Sequence, residues 1–475
     1  MIELVDRKTG SRRTFSVIDA HHHIGEDVDG NENVPVGKDG SYRFSKRLEE
    51  DLKDALSEST YRYRAPDEEI VDTFEVAESE KHPYGLIDQF VVFPMKDRFR
   101  DEGKITYSRS NENISQWVSS SDHEKRLFGF GRVDPEDLED ARYMIREFPS
   151  KYGLIGLKVH PDSERFMLDS NQVVQLYIDC ARMNLPIIFH TSYVSDVKKI
   201  HDGVNRTISL LVENNMKSLI GQLNVIVGHF SYDDDEAFRY LSHPCLYGEM
   251  STLTSPEEFI RSAMEKIAIS EFRSKTLSGF RKDVREELEK DFCNIFHASL
   301  NWSSKLMLGT DYPFLPKDNT FELLKALLCS ELSDELHPAM IQNILGKNLI
   351  DILPVETFVL NSLNGEGQGS DEVSKFERRE DQVDYYIEII GKMGIYTGPI
   401  ERMKSSAEEH ARKDEYPKAL EEIEKGLTIA KKGYTLAKML DKRDTESGRV
   451  DEALKKASES AKKGQYSKGI KILKK

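Results

Sequence analysis

Two imidazoles set two residues apart are the first side chains in this sequence with the means for chemistry: His21 and His23, in Asp19-Ala-His-His-His-Ile-Gly25. Val17 and Ile18 precede them and are β-branched, the composition of a short buried strand. In extended backbone, residues i and i+2 point to the same side, so His21 and His23 can converge on one ion while His22 faces away. Taken alone, the run is equally compatible with ordinary surface histidines. Further candidates stand at His190 in Ile188-Phe-His-Thr191, at His229 in Val227-Gly-His229, and at Asp311 in Leu308-Gly-Thr-Asp-Tyr-Pro313. Each of them falls where a short apolar run ends.

Residues as far apart as 21 and 311 need a scaffold that collects strand ends. Apolar runs at 89–94, 126–135, 155–161, 185–191, 224–230, 246–251 and 305–313 read as strands following the first. Helical spacing separates them at 68–80 (Ile70, Val71, Phe74, Ala77), 111–121, 136–148, 170–183, 204–220 and 236–241, and closing helices follow at 320–330 and 338–352. Eight strands alternating with helices predict the α/β class and a (β/α)8 TIM barrel. An open doubly wound sheet is the alternative, but no Gly-rich phosphate turn follows the first strand. A barrel of this kind gathers its reactive groups at the C-terminal ends of its strands, where all five candidates would meet. Three neutral imidazoles and one carboxylate form a borderline donor set that suits Zn²⁺, with Mn²⁺, Fe²⁺ and Co²⁺ also compatible.

Two stretches interrupt the alternation. Residues 26–61 are rich in turn formers and read as a lid or a loop without a role, and 255–300 read as a helical insertion. Residues 1–15 form a charged lead-in with an edge strand around Ile2 to Val5.

These motifs, together with Gly156-Leu-Lys-Val-His-Pro161, resemble the amidohydrolase superfamily over about residues 14–353. They are most similar to its amidohydrolase-related branch, which also contains decarboxylases of the aminocarboxymuconate semialdehyde type. The resemblance implies that His21, His23, His190 and Asp311 hold one divalent metal, with zinc favoured. His229 would stand beside it as a proton donor or orienting group. Asp311 would take the proton of a metal-activated water that attacks a C–N or C–O bond of a small molecule, and pass it to the leaving group. A decarboxylase of an aromatic or unsaturated acid is the second reading, and a retired barrel with a protein-binding tail the third. Binuclear relatives place a carboxylated lysine on the fourth strand, which makes Lys158 and His160 candidates for a second metal or for substrate; otherwise Lys158 pairs with a barrel carboxylate. Arg132 and Asp134 end the third strand and suit a substrate carboxylate or a structural ion pair.

Composition narrows the partners. The 475 residues carry a formal net charge of −17, and no run of Lys and Arg stands apart from neighbouring acids, which argues against nucleic-acid binding. No apolar run approaches the roughly 20 residues of a membrane span, and the start lacks a secretory pattern, so a cytoplasmic protein is expected. Cys180, Cys245, Cys293 and Cys329 lie far apart, as reduced thiols would.

The expected domains are a barrel over 1–354, a linker over 355–375 containing the Gly-rich stretch Asn361 to Ser370, and an all-α helical module over 376–475. In that module Tyr416-Pro-Lys-Ala-Leu420 and Val450-Asp-Glu-Ala-Leu454 are offset by 34 residues, the tetratricopeptide period, and Tyr466 to Ile470 breaks it. A plain helical bundle fits as well. A true repeat would dock a protein partner or a second copy of the chain.

Overall fold

In the computed structural model the described residues are 2–354 except 7–11, 27–31, 38–39, 59–62, 66–67, 71–73, 77–83, 95–105, 121–125, 165, 231–233, 269–271, 291–300, 331 and 333–334, together with 397–411 and scattered positions from 383 to 465. The chain divides into two compact units, Met1–Val355 and Glu356–Lys475.

Eight strands build the first unit: β1 (Ile18–Glu26), β2 (Gln89–Pro94), β3 (Leu127–Gly131), β4 (Gly156–Val159), β5 (Ile187–His190), β6 (Val225–Gly228), β7 (Leu246–Glu249) and β8 (Leu306–Met307). Each pairs in parallel with the next in chain order. The ring closes where β1 meets the chain leaving β8. The Ala20 amide donates to the Leu308 carbonyl at 2.9 Å, the Asp311 amide to His21 at 2.7 Å, and the His23 amide to Tyr312 at 2.9 Å. This is the TIM barrel expected from the alternation. Its strands are apolar on both faces because helices cover the outside, and every residue of β3, β6 and β7 is buried.

The helix between β1 and β2 differs from expectation. It is α1 (Ser41–Glu58), in the stretch read as a lid, and it forms because Phe44, Leu48 and Leu52 recur every fourth residue and are buried while Arg43, Lys46 and Arg47 face solvent. The helix expected over 68–80 is replaced by short strands, Glu68–Ile70 and Phe74–Val76. Phe74–Val76 pairs antiparallel with Ile2–Asp6, which also pairs with Arg12–Phe15. Glu68–Ile70 pairs antiparallel with Tyr63–Ala65, and these backbone pairings override a weak helical spacing here.

The remaining helices follow the strands as expected: α2 (Tyr107–Val118), α3 (Leu138–Glu147), α4 (Asn171–Met183), α5 (Val194–Glu213), α6 (Asp235–Leu241), α7 (Pro256–Lys266), α8 (Lys282–Lys290) and α9 (Lys317–Cys329). Helix α5 starts ten residues earlier than the apolar spacing suggested. Asp196 caps it by accepting from the Tyr193 amide at 3.0 Å and the Ser192 amide at 3.2 Å, so the helix begins directly beyond His190.

In the second unit most of the described residues are helical, with α10 (Gly398–Ala411) burying Ile400 and Ala407. The linker 355–375 and the second and third repeat-like pieces, Val450 to Leu454 and Tyr466 to Ile470, lie outside the described residues. No described helix is long and apolar enough to cross a membrane.

Candidate metal centre

Histidines 21 and 23 stand on β1 with their Nδ1 atoms already committed. His21 Nδ1 meets Glu249 Oε2 at 2.8 Å, and His23 Nδ1 meets the Pro94 carbonyl at 2.7 Å. Both acceptors lack hydrogen, so each Nδ1 carries a proton, and in the neutral imidazole each Nε2 holds the lone pair. The two Nε2 atoms face the same oxygen, Asp311 Oδ1, at 3.2 and 3.3 Å. Ligands about 2.0–2.1 Å from a tetrahedral ion lie roughly 3.3 Å apart, so these separations fit donors of one ion. Orientation of metal-ligating imidazoles by a carboxylate or carbonyl at the other nitrogen is the usual supporting arrangement.

Asp311 reaches this position through a left-handed backbone, φ 50°, and His229 likewise has φ 61°. Both are non-glycine residues in a sparsely occupied region, a strain that persists where surrounding bonds over-determine it. At Asp311 those bonds come from its own amide to His21 and from Thr310, whose amide and hydroxyl donate to Asp19 at 3.0 and 2.6 Å. Asp19 also accepts from the His21 amide at 3.0 Å and meets His22 Nδ1 at 2.8 Å. His22 does turn away from the centre, and its Nε2 meets Ser41 at the start of α1 at 2.7 Å.

The electrostatics follow from burial and crowding. Burial alone would raise the Asp311 carboxyl, but the charge and hydrogen bonds of His21 and His23 hold it well below the usual carboxylate range. Burial and Lys158 oppose a proton on His21, yet Glu249 and Asp311 outweigh them and its pKa is raised. Burial lowers His23 against the pull of Asp311. Burial, followed by His21, pushes His229 well below the ordinary imidazole value.

The other candidates fall around this triad. The rings of His21 and His229 are 4.6 Å apart, as are those of His229 and His190. His190 itself stacks on His160 at 3.7 Å and forms a separate donor group with His160 and Asp162 at the mouth. Lys158 is 1% exposed, with Nζ 3.1 Å from His21 Nε2 and 4.6 Å from the Phe93 ring centre. Arg132 is buried and bonds Glu164 at 2.8 Å, the ion-pair alternative.

Two buried carboxylates central to the site went unnoticed in the sequence, Asp19 and Glu249. Glu249 Oε2 accepts from the His229 amide at 3.0 Å as well as meeting His21, and Oε1 accepts from the Ser251 amide at 2.5 Å. The available signal was a lone acid inside an apolar strand, since a buried charge needs partners.

A parallel barrel with histidines and an aspartate meeting at its C-terminal mouth defines the class: a TIM-barrel protein with a metal-type centre. The chain belongs to the amidohydrolase family, whose pattern matches residues 18–354, and which consists of metal-dependent enzymes. No curated protein matches it. Among solved structures it is similar to 5-carboxyvanillate decarboxylase from Sphingomonas paucimobilis, at 12% identity over 71% of this chain and 99% of that one, TM-score 0.40. It is similar to 2,6-dihydroxybenzoate decarboxylase from Rhizobium at 12% identity over 72% and 100%, TM-score 0.40. It is also similar to a manganese complex of 5-carboxyvanillate decarboxylase from Novosphingobium aromaticivorans at 12% identity over 73% and 98%, TM-score 0.41. Likeness this distant leaves the chemistry to be argued from the site.

Proposed function

We propose that the chain is a metal-dependent hydrolase of the amidohydrolase-related type, cleaving a C–N or C–O bond of a small molecule. The observation that carries this reading is Asp311 Oδ1 facing the Nε2 atoms of both His21 and His23 from an ionised carboxylate. His21, His23 and Asp311 would hold the ion, with zinc the first choice for this donor set and manganese, iron and cobalt as alternatives. His190 is the fourth donor, and it would turn from its stack on His160 to join them. When bound, the ion supplies Lewis-acid polarisation of a water and of the substrate carbonyl.

The chain's own residues then divide the proton handling. Asp311 is ionised at neutral pH and can take the proton of the attacking water, then return it to the leaving group. His229, beside His21, orients the substrate and exchanges a proton with it. The pairing of Arg132 with Glu164 favours the structural ion-pair role of this arginine over a contact to a substrate carboxylate.

Elemental analysis of the purified chain followed by a panel of lactones, amides and carboxylic acids tests the proposal. One bound divalent metal per chain and hydrolysis of a lactone or amide are expected. Carbon dioxide release from an acid without hydrolysis would move the assignment to a decarboxylase. Purified chain without stoichiometric metal would favour the retired barrel and a partner-binding role for 376–475.

A further inference from the structure

The proposed site rests on a carboxylate that touches two of its histidines at once. Glu249 is fully buried at the end of β7, and its oxygens meet four groups: His21 Nδ1 at 2.8 Å, the His229 amide at 3.0 Å, the Ser251 amide at 2.5 Å and the Ser251 hydroxyl at 3.2 Å. His21, His229 and Glu249 lie close enough to be read as a ligand group. A carboxylate already accepting from four donors has little left for an ion, so Glu249 supports the centre instead of coordinating within it.

The hydrogen positions follow by elimination. An ionised carboxylate only accepts, so the Ser251 hydroxyl hydrogen points to Glu249 Oε2. Ser251 Oγ is also 2.9 Å from His229 Nδ1 and, with its hydrogen spent, can only accept there. His229 Nδ1 therefore carries the imidazole proton and Nε2 carries the lone pair.

We infer that Glu249 is a positioning residue acting through Ser251 to hold His229 in the Nδ1-protonated tautomer, which makes Nε2 a proton acceptor beside His21 and His190. The same carboxylate fixes the His229 backbone, whose left-handed φ of 61° is held by the amide bond to Oε2. This inference deepens the proposed hydrolase reading. His229 has no proton to give a substrate until it has accepted one at Nε2, so it cannot donate first, and return of the water's proton to the leaving group falls to Asp311.

The test uses the full-length chain labelled with ¹⁵N-histidine, with His229→Asn identifying the His229 signals by difference. Wild-type protein is expected to show His229 protonated at Nδ1 and bare at Nε2. Ser251→Ala should shift the population toward the Nε2-protonated form, and Ser251→Thr, which keeps a hydroxyl, should restore it. Glu249→Gln should release the tautomer too and weaken zinc binding about 10- to 100-fold in a chelator competition, because it also loosens His21. An Nε2-protonated His229 in the wild type, or a Ser251→Ala tautomer unchanged from it, overturns the inference. Failure of the metalloenzyme reading would appear separately, as wild-type protein without affinity for zinc, because the tautomer is measured without requiring metal.

Discussion

His21 and His23, two residues apart on β1, direct their Nε2 atoms at a single oxygen of Asp311, 3.2 and 3.3 Å away. The first comes into place because Glu249 on β7 holds its other nitrogen, the second because the Pro94 carbonyl at the end of β2 does. The groups that hold this pair come from β2, β7 and the turn after β8.

Asp311→Asn is the most informative substitution at this centre. Asparagine tolerates the left-handed backbone of residue 311, so the change removes the charge without adding the strain that alanine would bring. Zinc content should fall below stoichiometric, turnover should fall by about 10²- to 10⁴-fold, and the urea unfolding midpoint should stay close to wild type. Collapse of the fold in this variant would make Asp311 a structural residue.

How far the sequence foretold this arrangement depends on the kind of signal. Strands β5 and β6 are continuous apolar runs that end in His190 and His229, and β4 is apolar apart from Lys158 and is followed by His160. Residues 68–80 carry a spacing that suits a helix, but Phe74–Val76 pairs with Ile2–Asp6, some seventy positions away, and Glu68–Ile70 pairs with Tyr63–Ala65. Helix α1 was hidden by the turn formers before it, although Phe44, Leu48 and Leu52 were spaced for burial. Glu249 and Asp19 act through partners far along the chain, and no local pattern names those partners. The separation of His190 from the His21, His23 and Asp311 group is likewise a matter of side-chain direction, which strand position alone does not determine.

Gly309 lies in the motif before Asp311, and a Cβ there would come within 1.9 Å of Glu249 Oε1. That oxygen cannot retreat without giving up the Ser251 amide. Gly309→Ala should therefore displace Glu249, costing about 1–3 kcal/mol of stability by overpacking and weakening metal binding through His21. Urea denaturation and chelator competition on the same sample check both effects. Wild-type metal affinity in this variant would show that the carboxylate has room the packing does not suggest.

The Arg132–Glu164 pair gives a contrast between structure and substrate binding. Both side chains are fully buried, and Glu164 also accepts from the His160 amide at 3.3 Å. Glu164→Gln should cost about 3–5 kcal/mol by leaving a buried guanidinium without its counter-charge, while the double change Arg132→Met with Glu164→Leu should cost much less. Urea midpoints of the three proteins decide it. A rise in KM with no loss of stability in Arg132→Met would instead make the arginine a substrate contact.

Lys305 sits 1% exposed just before β8, its ammonium 2.8 Å from the Pro244 carbonyl and 4.3 Å from the Tyr247 ring centre. Burial is the main cause that pushes its pKa down from 10.5 to about 7. Between those two pH values the unfolded chain binds a proton that the folded chain does not, so this residue makes stability rise with pH across that window. Below pH 7 both forms are protonated, the slope from Lys305 vanishes, and the full cost of burying the charge is present. Lys305→Met removes the contribution, and the difference between wild type and variant should shrink by an amount on the order of 4 kcal/mol from pH 7 to pH 10.5. Urea unfolding of both proteins at matched pH values reads that difference directly, and parallel profiles would mean that the ammonium is solvated well enough to keep its ordinary pKa.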